Sequence, residues 1–279
     1  AAKIVAAKWM TRTFHLKANR PLVIWDPCSA ATEEETLETC RTLAKAGVVD
    51  VLRAGIWKPR TQPGSFEGSG LKELAWMAAA KEETGLPIAT EVANSKHVES
   101  ALEFGVDVLW IGARTTVNPF SVQDIADALK GVDVPVLVKN PMNPDLDLWM
   151  GAVQRLQKAG IDKVGLIHRG FSSLGVSKYR NNPMWSLAIE MKMRMPDVPM
   201  IGDPSHISGT REYLKEIAQE AADLDYDGLI LESNVCPDKA WSDAAQQPVP
   251  EELAQLVKGI VWREPKVHKH EFQQSLEQL

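Results

Sequence analysis

The chain is poor in cysteine, with three in 279 residues: Cys28, Cys40 and Cys236. So odd and sparse a set does not make a disulfide framework, and it suits a reducing compartment. Long apolar runs are missing as well. No stretch of 18 apolar residues occurs, so no membrane-spanning helix is expected. The opening AAKIVAAKWMTRTFHLKANR carries a charge every few positions and contains no apolar signal-peptide core. Positive charge is not in excess: 31 Lys and Arg against 37 Asp and Glu leave a net charge of −6. That balance gives no global attraction to nucleic acid or to an anionic membrane. A cytoplasmic protein that binds neither is expected. A Gly-rich phosphate loop is also lacking. After the first strand candidate the chain reads DPCSA, which counts against an open, doubly wound nucleotide-binding sheet.

What is present is a period. Short apolar runs at 22–25, 49–53, 87–91, 108–111, 134–139, 163–167, 198–201 and 228–231 alternate with longer amphipathic segments. Near-continuous apolarity is expected of parallel strands buried on both faces. Thr32 with Glu35 reads as a capping box, and Ser121 with Asp124 has a related arrangement before IADALKG. Gly47, Gly105, Gly131 and Gly160 sit where helices should stop. Eight strands with eight following helical segments, the last at 251–261, predict an α/β fold, a closed (β/α)8 TIM barrel. The expected organisation is an N-terminal extension at 1–20, a catalytic barrel at 21–262 and a C-terminal tail at 263–279.

Barrel active sites lie at the C-terminal ends of the strands, and reactive residues cluster there. Strand by strand they are Asp26-Pro27-Cys28, Arg53 with Lys58-Pro59-Arg60-Thr61, Glu91, Arg114, Lys139-Asn140, His168-Arg169, Asp203-Pro204-Ser205-His206 and Glu232. Arg53, Lys58, Arg60, Arg114, Lys139 and Arg169 form a basic group. Converging on one mouth, they would repel one another without anionic ligands. Arginine forks match phosphate and carboxylate bidentately, and lysine acts as a point charge. The set suits two phosphates and one carboxylate, although each cation singly could be a solvated charge or pair with a neighbouring helix.

The second group is Cys28, His206, Glu232 and Asp243, a soft and hard donor set suited to a borderline divalent ion. Cys28 alone would more often be a small buried hydrophobe, and His206 alone a surface residue. Glu232 ends the apolar run LILES, where an unpaired carboxylate is costly. Asp243 is the weakest by spacing, since DKAWSD also reads as a turn. Cys40 is expected to be packing and Cys236 a partly exposed thiol. His97 is expected at the surface, and His15, His268 and His270 receive no chemistry.

In chain order the motifs are DPCS at 26–29, RAGIWKPRT at 53–61, TEV at 90–92, IGARTT at 111–116, VKNP at 138–141, HRG at 168–170, GDPSHISG at 202–209 and LES…WSDAAQQ from 231 to 247. Together they resemble the 3-deoxy-D-arabino-heptulosonate 7-phosphate (DAHP) synthase family, whose reaction opens the shikimate pathway of aromatic biosynthesis. The branch most similar is the shorter type I, related to 3-deoxy-octulosonate 8-phosphate synthase. The resemblance covers residues 20–262 and implies a metal-dependent transferase. Cys28, His206, Glu232 and Asp243 would hold the divalent ion, Mn²⁺ foremost. Arg114, Lys139 and Arg169 would hold phosphoenolpyruvate, with Arg53 and Lys58 nearby. Pro59, Arg60 and Thr61 would hold erythrose 4-phosphate, and Asp203 joins the substrate-binding residues. Lys58, Glu91 and His168 are the catalytic candidates for moving the proton of the attacking water.

Two departures from the family pattern stand out. KPRTQPGSFEG replaces KPRTSPYSFQG, and HRG replaces ERG, which changes a charge near the reacting centre. The alternatives are an octulosonate synthase using arabinose 5-phosphate, whose branch reads KANR in place of KPRT, a Schiff-base aldolase using Lys139, and a non-catalytic sugar-phosphate binder. A homo-oligomer is expected. In the tail, Phe272, Leu276 and Leu279 make one apolar face on a helix too short to stand alone. It either docks on the barrel or frays, or it opens a C-terminal chorismate mutase domain of the kind fused to similar synthases.

Overall fold

The computed structural model describes residues 21–26, 32–58, 64, 67–68, 70–175, 177–240 and 242–263, with only the backbone of Asp26. Cys28, Pro59, Arg60 and Thr61 lie outside the described residues, as do the extension at 1–20 and the tail from 264. The strands are β1 (Leu22–Asp26), β2 (Val51–Ala54), β3 (Ile88–Val92), β4 (Val108–Ile111), β5 (Val136–Lys139), β6 (Val164–His168), β7 (Met200–Gly202) and β8 (Gly228–Glu232). The helices are α1 (Glu33–Ala46), α2 (Leu71–Thr84), α3 (Ser95–Glu103), α4 (Ala113–Thr116), α5 (Pro119–Ala128), α6 (Leu146–Lys158), α7 (Trp185–Arg194), α8 (Pro204–Ser208), α9 (Leu214–Asp223) and α10 (Pro250–Lys258). Neighbouring strands pair in parallel, and β1 pairs with β8, with Asp26 opposite Glu232, so the sheet closes as the expected (β/α)8 barrel. No helix of the described residues is long and apolar enough to cross a membrane.

Local chemistry explains the element boundaries. Thr32 caps α1, its hydroxyl accepting from Glu35 N–H at 3.2 Å. The Glu35 carboxylate, expected to complete a capping box, accepts from Asn234 Nδ2 at 2.8 Å and ties α1 to the segment after β8. Helix α5 begins before the Ser121 expected to start it. Asn118 is the cap, accepting from the N–H groups of Phe120 and Ser121, and Pro119 occupies the first helical position, where its missing donor costs nothing.

Alternation along the strands sorts the core. Leu22, Ile24, Val51, Ala89, Val108, Trp110, Leu137, Ile167, Ile201 and Ile230 fill the barrel interior. The intervening residues, such as Leu52, Val138, Leu166 and Leu229, pack outward against the helices in a larger cluster. At the N-terminal end, carboxylates satisfy strand-opening amides. Val23 N–H donates to Asp50, Ile88 N–H to Asp107 and Met200 N–H to Asp227, all at 2.8–2.9 Å. Each aspartate just precedes the next strand in the barrel. This end is therefore spent on stability and the opposite end is left for chemistry.

Candidate active site

The same alternation builds the site. Two residues beyond Val51, Ala89, Leu137, Ile167, Ile201 and Ile230 stand Arg53, Glu91, Lys139, Arg169, Asp203 and Glu232. With a side-chain period of two, each shares its strand's inward face. The barrel interior thus passes in one step from an apolar layer to a layer of charge.

Above this layer lies a cavity that opens to solvent. Arg53, Lys58, Arg114, Lys139 and Arg169 all line it. So do Glu91, His206, Glu232 and Asp243, with Gly55, Trp57 and Ala113 completing the wall. The structure therefore brings together five of the six expected cations and three of the four expected metal ligands. Arg60 and Cys28 lie outside the described residues.

The charges are interlocked. Arg53 Nη2 lies 2.8 Å from Glu232 Oε1, and Lys139 Nζ lies 3.1 Å from Asp203 Oδ2, with all four side chains buried. Asp203 also accepts from the His206 backbone and faces His206 Nδ1 at 2.9 Å. Gln246 donates to Glu232 Oε2. Arg180 donates to Asp243 Oδ1 at 2.7 Å, and Asp243 itself has a left-handed backbone with φ of 54°. Trp110 floors the site. Its Nε1 donates to Glu91 Oε2 at 2.9 Å, and the Arg53 guanidinium lies 4.9 Å over its ring. Gly112 makes room for that carboxylate, because a Cβ there would stand 2.1 Å from Glu91 Oε1.

Burial alone would raise the carboxyl groups of Asp203, Glu232 and Asp243. The facing charges outweigh it and hold all three below the usual carboxylate range: His206 and Lys139 for Asp203, His206 and Arg53 for Glu232, His206 and Arg180 for Asp243. Arg169 is pulled down to about 10 by burial, partly offset by Asp203, and stays cationic at neutral pH. Buried pairs of this kind add little net stability, so their concentration in one cavity points to function.

His168 requires a correction. Ile167 and Arg169 face inward, so His168 between them faces outward, among Trp149, Phe171, Trp185 and Tyr226. Its Nε2 lies 2.7 Å from the Pro183 carbonyl and its Nδ1 2.8 Å from the Tyr226 hydroxyl. Because a carbonyl only accepts, Nε2 carries the proton and Nδ1 accepts from Tyr226. Burial lowers its pKa to about 4. His168 is a neutral structural group, and it does not line the cavity. Asp203 also lies beneath the wall, holding Lys139 and His206 from below.

The donor set fits a divalent ion. An imidazole whose Nδ1 is fixed by a carboxylate keeps Nε2 for a ligand, and here Nε2 lies 3.5 Å from Glu232 Oε1. Among the described residues, no three His, Cys, Asp or Glu are already gathered as a metal site. Cys28 follows β1, whose last residue pairs with Glu232.

Several site residues gave no signal in the sequence. Trp57 lines the cavity and is stacked on His97, with ring centroids 3.9 Å apart and planes 6° apart, so His97 is half-buried and not the surface residue expected. Arg180 and Asn181 sit in the middle of a βα loop, away from any strand end. Cys40 is buried, with its thiol pushed up to about 12 by burial, as a packing residue should be. Cys236 is partly exposed.

A parallel eight-stranded barrel with a group of cations and a carboxylate–imidazole cluster at its C-terminal mouth defines a class, the (β/α)8 proteins with their polar site at the strand ends. Within that class, the chain belongs to the DAHP synthetase I family, whose profile matches residues 7–267. The phospho-2-dehydro-3-deoxyheptonate aldolase of Thermotoga maritima is 30% identical over 224 residues, covering 80% of this chain and 64% of that protein. The match therefore spans under two thirds of that relative's length. The 2-dehydro-3-deoxyphosphooctonate aldolase of Desulfotalea psychrophila is 30% identical over 262 residues, covering 86% and 88%. The crystal structure of the Thermotoga maritima DAHP synthase superposes with a TM-score of 0.75 at 29% identity, covering 85% of this chain and 67% of that one. A truncated form of the Thermotoga maritima enzyme gives 0.72 at 26%, covering 85% and 84%.

Proposed function

We propose that this chain is a metal-dependent DAHP synthase that condenses phosphoenolpyruvate with erythrose 4-phosphate and releases phosphate. The observation that carries the reading is the convergence of Arg53, Lys58, Arg114, Lys139 and Arg169 on one cavity that His206, Glu232 and Asp243 also line. Phosphoenolpyruvate brings a phosphate and a carboxylate, groups that arginine and lysine side chains bind well. Lys139, Arg169 and Arg114 bind these groups, with Arg53 and Lys58 beside them. KPRT at 58–61 supplies the grip on the terminal phosphate of the aldose and favours the four-carbon sugar over arabinose 5-phosphate.

His206, Glu232 and Asp243, with Cys28, would hold a divalent ion, Mn²⁺ in this reading. When bound, it supplies Lewis acidity toward the aldehyde. The remaining chemistry belongs to the chain. The cations fix phosphoenolpyruvate so that its methylene carbon attacks the aldehyde carbon, and the C–C bond forms. Water then adds at the adjacent carbon, which has gained positive character. Glu91, held by Trp110, is the candidate to accept the water proton, and Lys58, whose Nζ donates to Ser242 at 3.0 Å, is the candidate to deliver one. The resulting hemiketal phosphate breaks its C–O bond, and Arg169 and Lys139 stabilise the departing phosphate. The Schiff-base reading is less favoured, because Lys139 Nζ is paired with Asp203 at 3.1 Å, an arrangement suited to holding an anionic ligand. Homo-oligomeric assembly in the cytoplasm belongs to the same proposal.

The deciding experiment is a phosphate-release assay with phosphoenolpyruvate and each aldose, with and without chelator. Turnover with erythrose 4-phosphate that chelator abolishes is the expected result. Preference for arabinose 5-phosphate would move the chain to the octulosonate branch. Assaying the full gene product for chorismate mutase activity tests the reading of the tail.

A further inference from the structure

The segment between β6 and α7 folds back on itself as a strap beside α8. Its two ends are joined by an antiparallel bridge, with Phe171 N–H donating to Asn182 O at 2.7 Å and Asn182 N–H to Phe171 O at 2.8 Å. Its returning arm lies along α8, where Arg180 N–H donates to Ser208 O and Asn181 N–H to Ile207 O, both at 3.1 Å. Two glycines admit it. A Cβ on Gly170 would stand 2.9 Å from Asn181 Cβ, and one on Gly209 would stand 2.5 Å from Arg180 Cβ. Both glycines also have left-handed φ, 77° and 73°, so any other residue would be strained there as well as crowded.

The close approach brings the Asn181 amide between two functional groups. Its Oδ1 accepts from Arg169 Nη1 at 2.8 Å, and its Nδ2 donates to the main-chain carbonyl of His206 at 2.6 Å. The side chain is buried, with Asn181 8% exposed. Asn140 fixes the opposite side of the same turn, accepting from Arg169 N–H at 2.7 Å and donating to Gly170 O at 2.8 Å.

We propose that Asn181 is a positioning residue that orients the phosphoenolpyruvate-binding guanidinium of Arg169 and anchors the main chain that carries the metal-binding imidazole of His206, through one amide. The proposal rests on the function proposed above. An uncharged amide is the group this place calls for. It offers one acceptor to a cation and one donor to a carbonyl, and it leaves the charge of Arg169 available to the substrate. An aspartate would keep the acceptor, but it would neutralise Arg169 and turn a lone pair toward the His206 carbonyl. Alanine would leave the His206 carbonyl without this donor and remove one of the hydrogen bonds that hold the guanidinium. The strap thereby makes the anion site and the metal site share one support.

The test uses the full chain, stripped of metal, with calorimetric titration of Mn²⁺ and of phosphoenolpyruvate, followed by steady-state kinetics. Wild type should bind both ligands. If it binds neither, the proposed function is what has failed, and not the role of Asn181. Given wild-type binding, Asn181→Ala should weaken phosphoenolpyruvate and Mn²⁺ binding by at least fivefold each. At saturating Mn²⁺ it should raise the KM for phosphoenolpyruvate while leaving that for erythrose 4-phosphate within twofold. Asn181→Asp, nearly isosteric, decides the matter if the alanine variant does not fold. It should weaken phosphoenolpyruvate by at least fivefold, and by more than alanine does where both fold. Smaller changes in phosphoenolpyruvate binding, or equal rises in both KM values, would overturn the proposal, because a merely structural residue lowers the amount of active protein without separating the two substrates.

Discussion

Asp203 is the residue on which most of the site leans. It holds Lys139 Nζ at 3.1 Å and His206 Nδ1 at 2.9 Å while itself only 1% exposed. Replacing it with asparagine would leave a buried ammonium without its counter-charge and release the imidazole from its fixed tautomer. Breaking one side of a buried pair costs roughly 3–5 kcal/mol. Asp203→Asn should therefore lose stability of that order in urea unfolding and lower phosphate release at least a hundredfold. Near-normal turnover would remove Asp203 from the proposed mechanism. The Trp57–His97 stack gives a milder expectation. An aromatic pair contributes about 0.5–1.5 kcal/mol beyond its burial, so His97→Ala should cost that much stability and raise KM values through a loosened cavity wall, with kcat changed less. Strand-end reasoning located Asp203 because it terminates an apolar run. It could not locate the stack of Trp57 on His97, which joins the segment after β2 to the first turn of α3 and leaves no periodicity in the chain.

At the scale of elements, the eight strands were readable because both their faces are apolar. Their ends were less so. Six strands run one residue further than their apolar runs, to Asp26, Ala54, Val92, His168, Gly202 and Glu232. At Asp26, His168, Gly202 and Glu232 hydrophobicity stops where the site begins, while the hydrogen-bond ladder continues. His168 shows the consequence: a histidine at a strand end reads as catalytic, but the strand's parity turns it outward. Its burial also makes a pH prediction. The folded value is about 4 against 6.5 for the free group. The unfolded chain therefore binds more protons between those values, and stability rises with pH across that window. This contribution is complete above pH 6.5 and is lost as pH falls toward 4. It amounts to roughly 3 kcal/mol at 1.36 kcal/mol per pH unit. Urea midpoints measured at pH 7 and pH 5 should differ accordingly, and His168→Phe should flatten the slope. The depressed carboxyls of Asp203, Glu232 and Asp243 contribute loss only at lower pH, so the two windows separate. An unchanged slope in the phenylalanine variant would mean that His168 titrates freely.

Over the whole molecule, a chain of net charge −6 gathers five cations at one mouth and balances them internally against Glu232, Asp203 and Asp243. The closed barrel and its two apolar clusters owe nothing to an ion, and the carboxylates of the proposed metal cluster, Glu232 and Asp243, have cationic partners of their own in Arg53 and Arg180. Metal binding is therefore expected to follow folding, unlike small domains whose folding free energy is the binding energy of their metal. Chelator-treated protein should keep its far-ultraviolet circular dichroism and a cooperative melt while losing phosphate release, and Mn²⁺ should restore turnover. Linkage sets the size of the accompanying shift. An ion present at a hundred times its dissociation constant stabilises the folded state by about 2.7 kcal/mol. For a domain of this size each kcal/mol moves the melting temperature by roughly 2–4 °C. Mn²⁺ should thus raise Tm by about 5–10 °C, as a displacement of an existing transition and not as its appearance. Collapse of the circular dichroism on chelation would show that the cationic partners do not suffice to hold the carboxylates. Full turnover after chelation would instead leave the fold untouched and remove the metal from the reaction.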